Sequence, residues 1–285
     1  MRSLLLLAFL PVVCAQPVKL RFQCTAEDIH AGGLACTEEE PCAVYLELSA
    51  LEPVGSQAFL IGNIHSQTTT LYALLLASAD GGKTWREPIE RLPDASLDHI
   101  RFADFEYGWI SGQPLHPLPH DPFVLLTNDG GKTWRRQPVF DEPRAGSVLQ
   151  MWFESRGSGS MVIDRGQSTE GMRYELYESL TGGESWMIRE AAERPIPIKR
   201  MPVSPANTDW RIRPDGASKT FRIEKREAGK WHLLSSFLIS LDPCKPPPPP
   251  AEPPPEAAPP DEAKPPADPA PARPKPSLKR PPAPK

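Results

Sequence analysis

The chain lacks most of what would make it a membrane, nucleic-acid or helical protein. Its N-terminal apolar run, Leu4 to Leu10, is too short to cross a bilayer as a permanent helix. The net charge is only −4 over 285 residues, and no basic stripe interleaved with aromatics runs through the part that can fold, which argues against a nucleic-acid partner. No convincing amphipathic helix is present, so the helical crossovers that a parallel sheet requires are missing. Cysteines are few, five in all, and none form the paired Cys-x-x-Cys hairpins of a structural zinc site.

What is present begins with a leader. Arg2, the apolar run and Val13-Cys14-Ala15 fit an export signal at 1–15, cleaved before Gln16. Export to the periplasm or beyond the cell leaves Cys24, Cys36, Cys42 and Cys244 in an oxidising compartment, where pairing is the default. Three connectivities are open. Cys36 and Cys42 flank a short loop, while Cys24 and Cys244 flank the two ends of the folding region, so the preferred pairing is 24 with 244 and 36 with 42.

The expected organisation is an N-terminal strand and cysteine loop at 16–42, a repeat region at 43–242 and a proline-rich tail at 243–285. The tail favours extended polyproline and has little apolar bulk to bury, so it reads as disordered. Its far end carries Arg273, Lys275, Lys279, Arg280 and Lys285 without an acidic residue among them, which suits contact with an anionic envelope surface.

The repeat is marked by Trp85, Trp134, Trp186 and Trp231, spaced 49, 52 and 45 residues apart. Such a period signals a repeat architecture. Three of the tryptophans close copies of one turn: Ser78-Ala-Asp80-Gly-Gly82-Lys-Thr84-Trp85, Thr127-Asn-Asp129-Gly-Gly131-Lys-Thr133-Trp134 and Ser179-Leu-Thr181-Gly-Gly183-Glu-Ser185-Trp186. Each position suits a hairpin. The aspartate accepts nearby backbone N–H groups, the glycines supply positive φ, and the tryptophan anchors the turn.

Around each turn the alternation places four short strands. In the second unit these are His99 to Phe105, Gly108 to Gly112, Pro122 to Thr127 and a strand from Trp134. The first unit gives Tyr45 to Ala50, Ala58 to Gly62, Thr70 to Ala77 and a strand from Trp85. The third gives Val148 to Phe153, Ser160 to Asp164, Tyr174 to Glu178 and a strand from Trp186, and the fourth Ile198 to Val203, Asp209 to Arg213, Thr220 to Lys225 and a strand from Trp231. Trp210 falls about where Trp109 does. Four such units imply an all-β propeller, with strands at Val18 to Cys24 and Leu233 to Leu241 pairing to close the last blade on the first.

The turns resemble the Asp-box, or BNR repeat, of β-propellers. Ile100 to Gly112 followed by Thr127 to Trp134 is most similar to the photosystem II assembly and stability factor, and more distantly to sialidase and sortilin propellers. In that family the box joins the third and fourth strands of a blade, which implies a structural role for Ser78, Asp80, Gly82, Thr84, Thr127, Asp129, Gly131, Thr133, Ser179, Thr181, Gly183 and Ser185 along with their tryptophans. A calcium or ligand contact at Asp80 or Asp129 is the lesser reading.

The resemblance implies a protein that acts by binding. The expectation is therefore a monomeric, non-catalytic binding or assembly scaffold for a protein or glycan in the envelope or outside the cell, with no catalytic residues, metal or cofactor. The alternative is a glycan-active, sialidase-like hydrolase. It is disfavoured because an early Arg-Ile-Pro signature has no counterpart; Arg194-Pro-Ile-Pro follows all three boxes. His116-Pro-Leu-Pro-His120-Asp121 reads as a surface loop rather than a metal site, because its prolines forbid a helical ligand face.

Overall fold

The computed structural model describes residues 16–166, 171–198 and 208–246. The expected leader, most of the tail and nearly all of the Ile198 to Val203 strand lie outside these residues. The described chain is an all-β propeller built from successive antiparallel sheets.

The first sheet is β1 (Tyr45–Val54), β2 (Gln57–His65), β3 (Thr70–Ser78) and β4 (Leu92–Pro93). The second is β5 (Ala95–Phe102), β6 (Gly108–Pro114), β7 (Phe123–Thr127) and β8 (Arg135–Pro138). The third is β9 (Ser147–Phe153), β10 (Gly159–Asp164), β11 (Tyr174–Ser179) and β12 (Met187–Ala192). In the fourth, three strands are described: β13 (Trp210–Asp215), β14 (Thr220–Glu227) and β15 (Lys230–Leu238). Each sheet pairs its strands antiparallel and in chain order.

Packing between sheets follows from the alternation. β1 packs on β5 and β5 on β9, so the first strands form the innermost layer, while β13 packs on β1. One apolar cluster, including Phe59, Ile61, Leu97, Phe102 and Ile110, lies between the first two sheets. A second, including Trp109, Met151, Phe153 and Tyr177, lies between the second and third. A single small sheet has two faces to bury, and only its neighbours can cover them.

The ends meet as the alternation suggested, with three differences. Val18 forms a single parallel bridge to Phe237 in place of a full strand. Next to it, Ala26–Ala31 forms the short helix α1, read from sequence as loop; Thr25 caps it, accepting the Asp28 N–H while Asp28 accepts that of Thr25. The strand from Trp231 and the strand expected at Leu233 to Leu241 are one element, β15, bulged at Leu234. Beyond it Ile239 and Leu241 bond with Leu46 and Val44, which joins the fourth sheet to the first. Trp85 opens no continuous strand, because Pro88 has no N–H to donate; Arg86 makes an isolated bridge with Ala77 and pairing resumes at Leu92.

Cys24 is bonded to Cys244 across 220 residues, and Cys36 to Cys42 across 6. Among the described residues no helix is long and apolar enough to cross a membrane.

Candidate functional site

The three turn motifs all lie between the third and fourth strands of their sheets. In the first, Asp80 Oδ1 accepts the backbone N–H groups of Lys83 and Thr84 at 3.0 and 2.9 Å, and Oδ2 accepts the Thr84 hydroxyl at 2.6 Å. Ser78 Oγ accepts the Gly82 N–H at 2.8 Å. Asp129 repeats the pattern with Lys132 and Thr133, and Thr127 with Gly131. These bonds hold both carboxyls below the usual carboxylate range, Asp129 at about 2.

In the third turn Thr181 Oγ1 accepts the Ser185 N–H at 3.0 Å and meets the Ser185 hydroxyl, while Ser179 Oγ still accepts the Gly183 N–H. Trp85 and Trp134 donate to the carbonyls of Gly82 and Gly131; the buried Trp186 Nε1 has no partner among the described residues. Each turn also docks on the first hairpin of its own sheet, through Gly81 N–H to Ser56 O, Gly130 N–H to Glu106 O and Gly182 N–H to Gly157 O. The Asp80 and Asp129 carboxylates are spent on their own turns, while Trp85 Nε1 also donates to Ser235 Oγ of the fourth sheet at 2.9 Å.

The remaining sequence candidates do not converge. His116 bonds Thr69 Oγ1 through Nε2, whereas His120 turns Nδ1 to the Leu118 carbonyl. Among the described residues no group of three metal-ligating side chains is present.

Chemistry gathers instead on the innermost strands. Each of β1, β5 and β9 carries a β-bulge at the same place in its repeat, with Ser49, Asp98 and Leu149 as the extra residues. A bulge re-aims a side chain. Opposite the first two stand Gly62 and Gly112, where a Cβ would lie 2.1 Å from Glu47 O and 2.4 Å from Ser96 O. Two residues before each bulge is a polar cross-strand pair: Glu47 with Asn63, Ser96 with Gln113 and Ser147 with Asp164.

These groups tie the sheets together. Ser49 Oγ donates to Leu97 O at 3.3 Å, from the first sheet to the second. Gln113 Nε2 donates to Ser96 Oγ at 2.8 Å, and its Oε1 accepts Val148 N–H from the third sheet at 3.2 Å. Ser96 Oγ in turn donates to Asp98 at 3.2 Å. Burial raises the Asp98 carboxyl to about 6, against the bonds from Ser96 and Gln113 and with added repulsion from Glu47. A carboxylic acid whose proton is held to higher pH, within electrostatic reach of a second, exposed carboxyl, is a combination that lets one group give a proton and the other carry charge. Sequence reasoning missed it, since the bulge that brings Asp98 inward leaves no mark in the alternation beyond one slipped residue.

Matching no known family, the chain also has no match among curated proteins. Among solved structures it is similar to an alpha-L-arabinanase from Penicillium chrysogenum, at 12% identity and TM-score 0.36 over 70% of this chain and 63% of that one. It is also similar to an alpha-L-arabinofuranosidase from Fusarium graminearum, at 12% and 0.33 over 70% and 62%. A Dyadobacter fermentans protein of unknown function follows, at 12% and 0.23 over 70% and 80%. The chain thus spans under two-thirds of the length of either enzyme.

Beside these two glycan-active hydrolases, the expectation of a non-catalytic binding or assembly scaffold is corrected; the glycan-active alternative accords with them better. The physical reason is one of location. The scaffold reading came from the turns between third and fourth strands, which carry no information about the innermost strands.

Proposed function

We propose that the chain is a glycan-active hydrolase centred on Asp98 and Glu47. The observation that carries this reading is the bulge-placed Asp98, whose carboxyl is pushed up to about 6 by burial with added repulsion from Glu47. In glycoside hydrolysis one carboxylic acid protonates the leaving oxygen as its bond to the anomeric carbon breaks, and a second carboxylate serves that carbon as positive charge develops. Asp98 takes the first role and Glu47 the second, with Ser96 and Gln113 holding Asp98 in place.

The turn geometry supports reading Ser78 to Trp85, Thr127 to Trp134 and Ser179 to Trp186 as Asp-boxes. The two disulfides support export, with a leader at 1–15, a strand and loop at 16–42, a propeller at 43–242 and a tail at 243–285.

A panel of chromogenic glycosides that includes arabinofuranosides tests the activity. Turnover is expected, with kcat/KM falling as pH rises through about 6, and a loss of at least about a hundredfold in D98N and E47Q. No turnover on any substrate, or turnover untouched by D98N, overturns the reading.

A further inference from the structure

We infer that the crevice between the second and third sheets, on the face carrying the box turns, is a separate binding site for neutral saccharides. It goes beyond the hydrolase reading and stands without it, because its residues are distinct from Glu47 and Asp98. Asp98 sits within β5, whose remaining run to Phe102 spans roughly 13 Å before the chain bends and reaches Tyr107 at the crevice.

The crevice encloses about 310 Å³, at the lower end of the range for small-ligand pockets. Two repeats build its walls. Tyr107, Trp109, Trp134 and Arg135 come from the second sheet's unit, and Arg156 and Glu184 from the third. Sugars need this combination. Their C–H faces pack on an aromatic ring, here the half-buried Trp134, since Phe153 covers the face of Trp109 and Arg156 that of Tyr107, and their adjacent hydroxyls match the forked groups of guanidinium and carboxylate.

The charges select a neutral ligand. Arg135 is paired with Glu184 across the crevice. Arg156 holds Asp104 at 2.5 Å and Glu106 at 3.1 Å, and its guanidinium lies over the Tyr107 ring at 4.3 Å. With each arginine compensated, an anionic ligand gains no free cation, while a hydroxyl pair can bridge both partners of a pair. Exposed ion pairs of this kind contribute little to stability, so the fold does not require them here.

The repeat supplies an internal comparison. The crevice between the first and second sheets, on the same face, is wider at about 540 Å³ and is lined by Phe105, Gln57 and Lys132 with neither tryptophan nor arginine. The same scaffold therefore does without the guanidinium–carboxylate pairs and the indole.

Calorimetry on the full chain, titrated with neutral hexasaccharides of arabinose, xylose and glucose and with an oligogalacturonate, tests the site. D98N is used alongside wild type so that hydrolysis does not consume the ligand. Binding of at least one neutral hexasaccharide is expected, weakened at least tenfold in the R156A/E184A variant and unchanged in E47A/D98N. Both crevice side chains are exposed, and circular dichroism confirms that their variant folds. Absence of heat with every neutral sugar, heat untouched by R156A/E184A, or preference for the oligogalacturonate overturns the inference. Crevice binding in a chain that turns over no glycoside upholds it and sinks the hydrolase reading alone.

Discussion

The indole of Trp109 lies flat on the ring of Phe153, with centroids 3.8 Å apart and planes 4° from parallel. One ring belongs to β6 and the other to β9, so the stack joins the second sheet to the third. Phe59 and Phe102 make the equivalent stack between the first and second sheets, at 4.7 Å and 17°. Trp134 meets both Phe59 and Phe102 edge-on, and Trp186 meets Phe153 in the same way. Trp109 Nε1 also donates to Gly182 O at 2.7 Å, tying the stack to the third turn.

Trp109 is thus a hub of the interface, and truncating it leaves a large hole. Trp109→Ala is expected to lower stability by about 3 to 5 kcal/mol. Urea unfolding followed by circular dichroism measures this; a loss of under about 1 kcal/mol removes the hub role.

The turn aspartates make stability depend on acid. Asp129 sits at about 2, held down first by the Thr133 hydroxyl and then by the Thr133 N–H. That lies below the unfolded value near 4, so its contribution is complete above about pH 4 and vanishes as pH falls through about 2. Asp129→Ala is expected to unfold at lower urea than wild type at pH 6, the gap closing towards pH 2. Thr181→Asp, which adds the missing acceptor in the third turn, is expected to gain up to about 1 kcal/mol. An unchanged gap across that pH range contradicts the account.

The disulfides differ in leverage because they close loops of such different length. In the chain-entropy treatment the bond across 220 residues contributes about 5 kcal/mol and the one across 6 about 2 kcal/mol. Paired serine substitutions at Cys24 and Cys244 should therefore lower the thermal midpoint more than those at Cys36 and Cys42. Equal effects on calorimetric scans show that loop closure is not the reason.

Asp98 runs opposite to the turn aspartates. Its folded value, about 6, lies above the unfolded one near 4, so the stability it contributes is full below about pH 4 and is lost as pH rises through about 6. Asp98→Asn keeps a side chain that can accept from Ser96 and never ionises. It is expected to match wild type at pH 4 and exceed it at pH 7.5 by at most about 3 kcal/mol. If the urea midpoints stay together at both pH values, Asp98 is not strained by ionisation.

Much of the scaffold is written in short-range patterns. Asp80, Gly82 and Trp85 make bonds within four residues of one another, so the turn can be read from its own letters. The same holds for the alternation of β6 and β10, because side chains in a strand take opposite faces in turn. Helix α1 was also within reach, since Thr25 and Asp28 stand three apart in the manner of a capping box. The Asp98 site was not. Its burial comes from sheets that are distant in sequence, its repulsion from Glu47 on another sheet, and its direction from a bulge that needs Gly112 across the ladder to make room.

The sequence by itself determined that this chain repeats, that its units are small antiparallel sheets, and where their turns fall, because those features rest on periodicity and local hydrogen bonding. Only the tertiary structure decided which polar residues meet at the innermost strands and which aromatics and ion pairs share a crevice. Those encounters are set by how whole sheets pack, and apolar burial fixes that packing without regard to order along the chain.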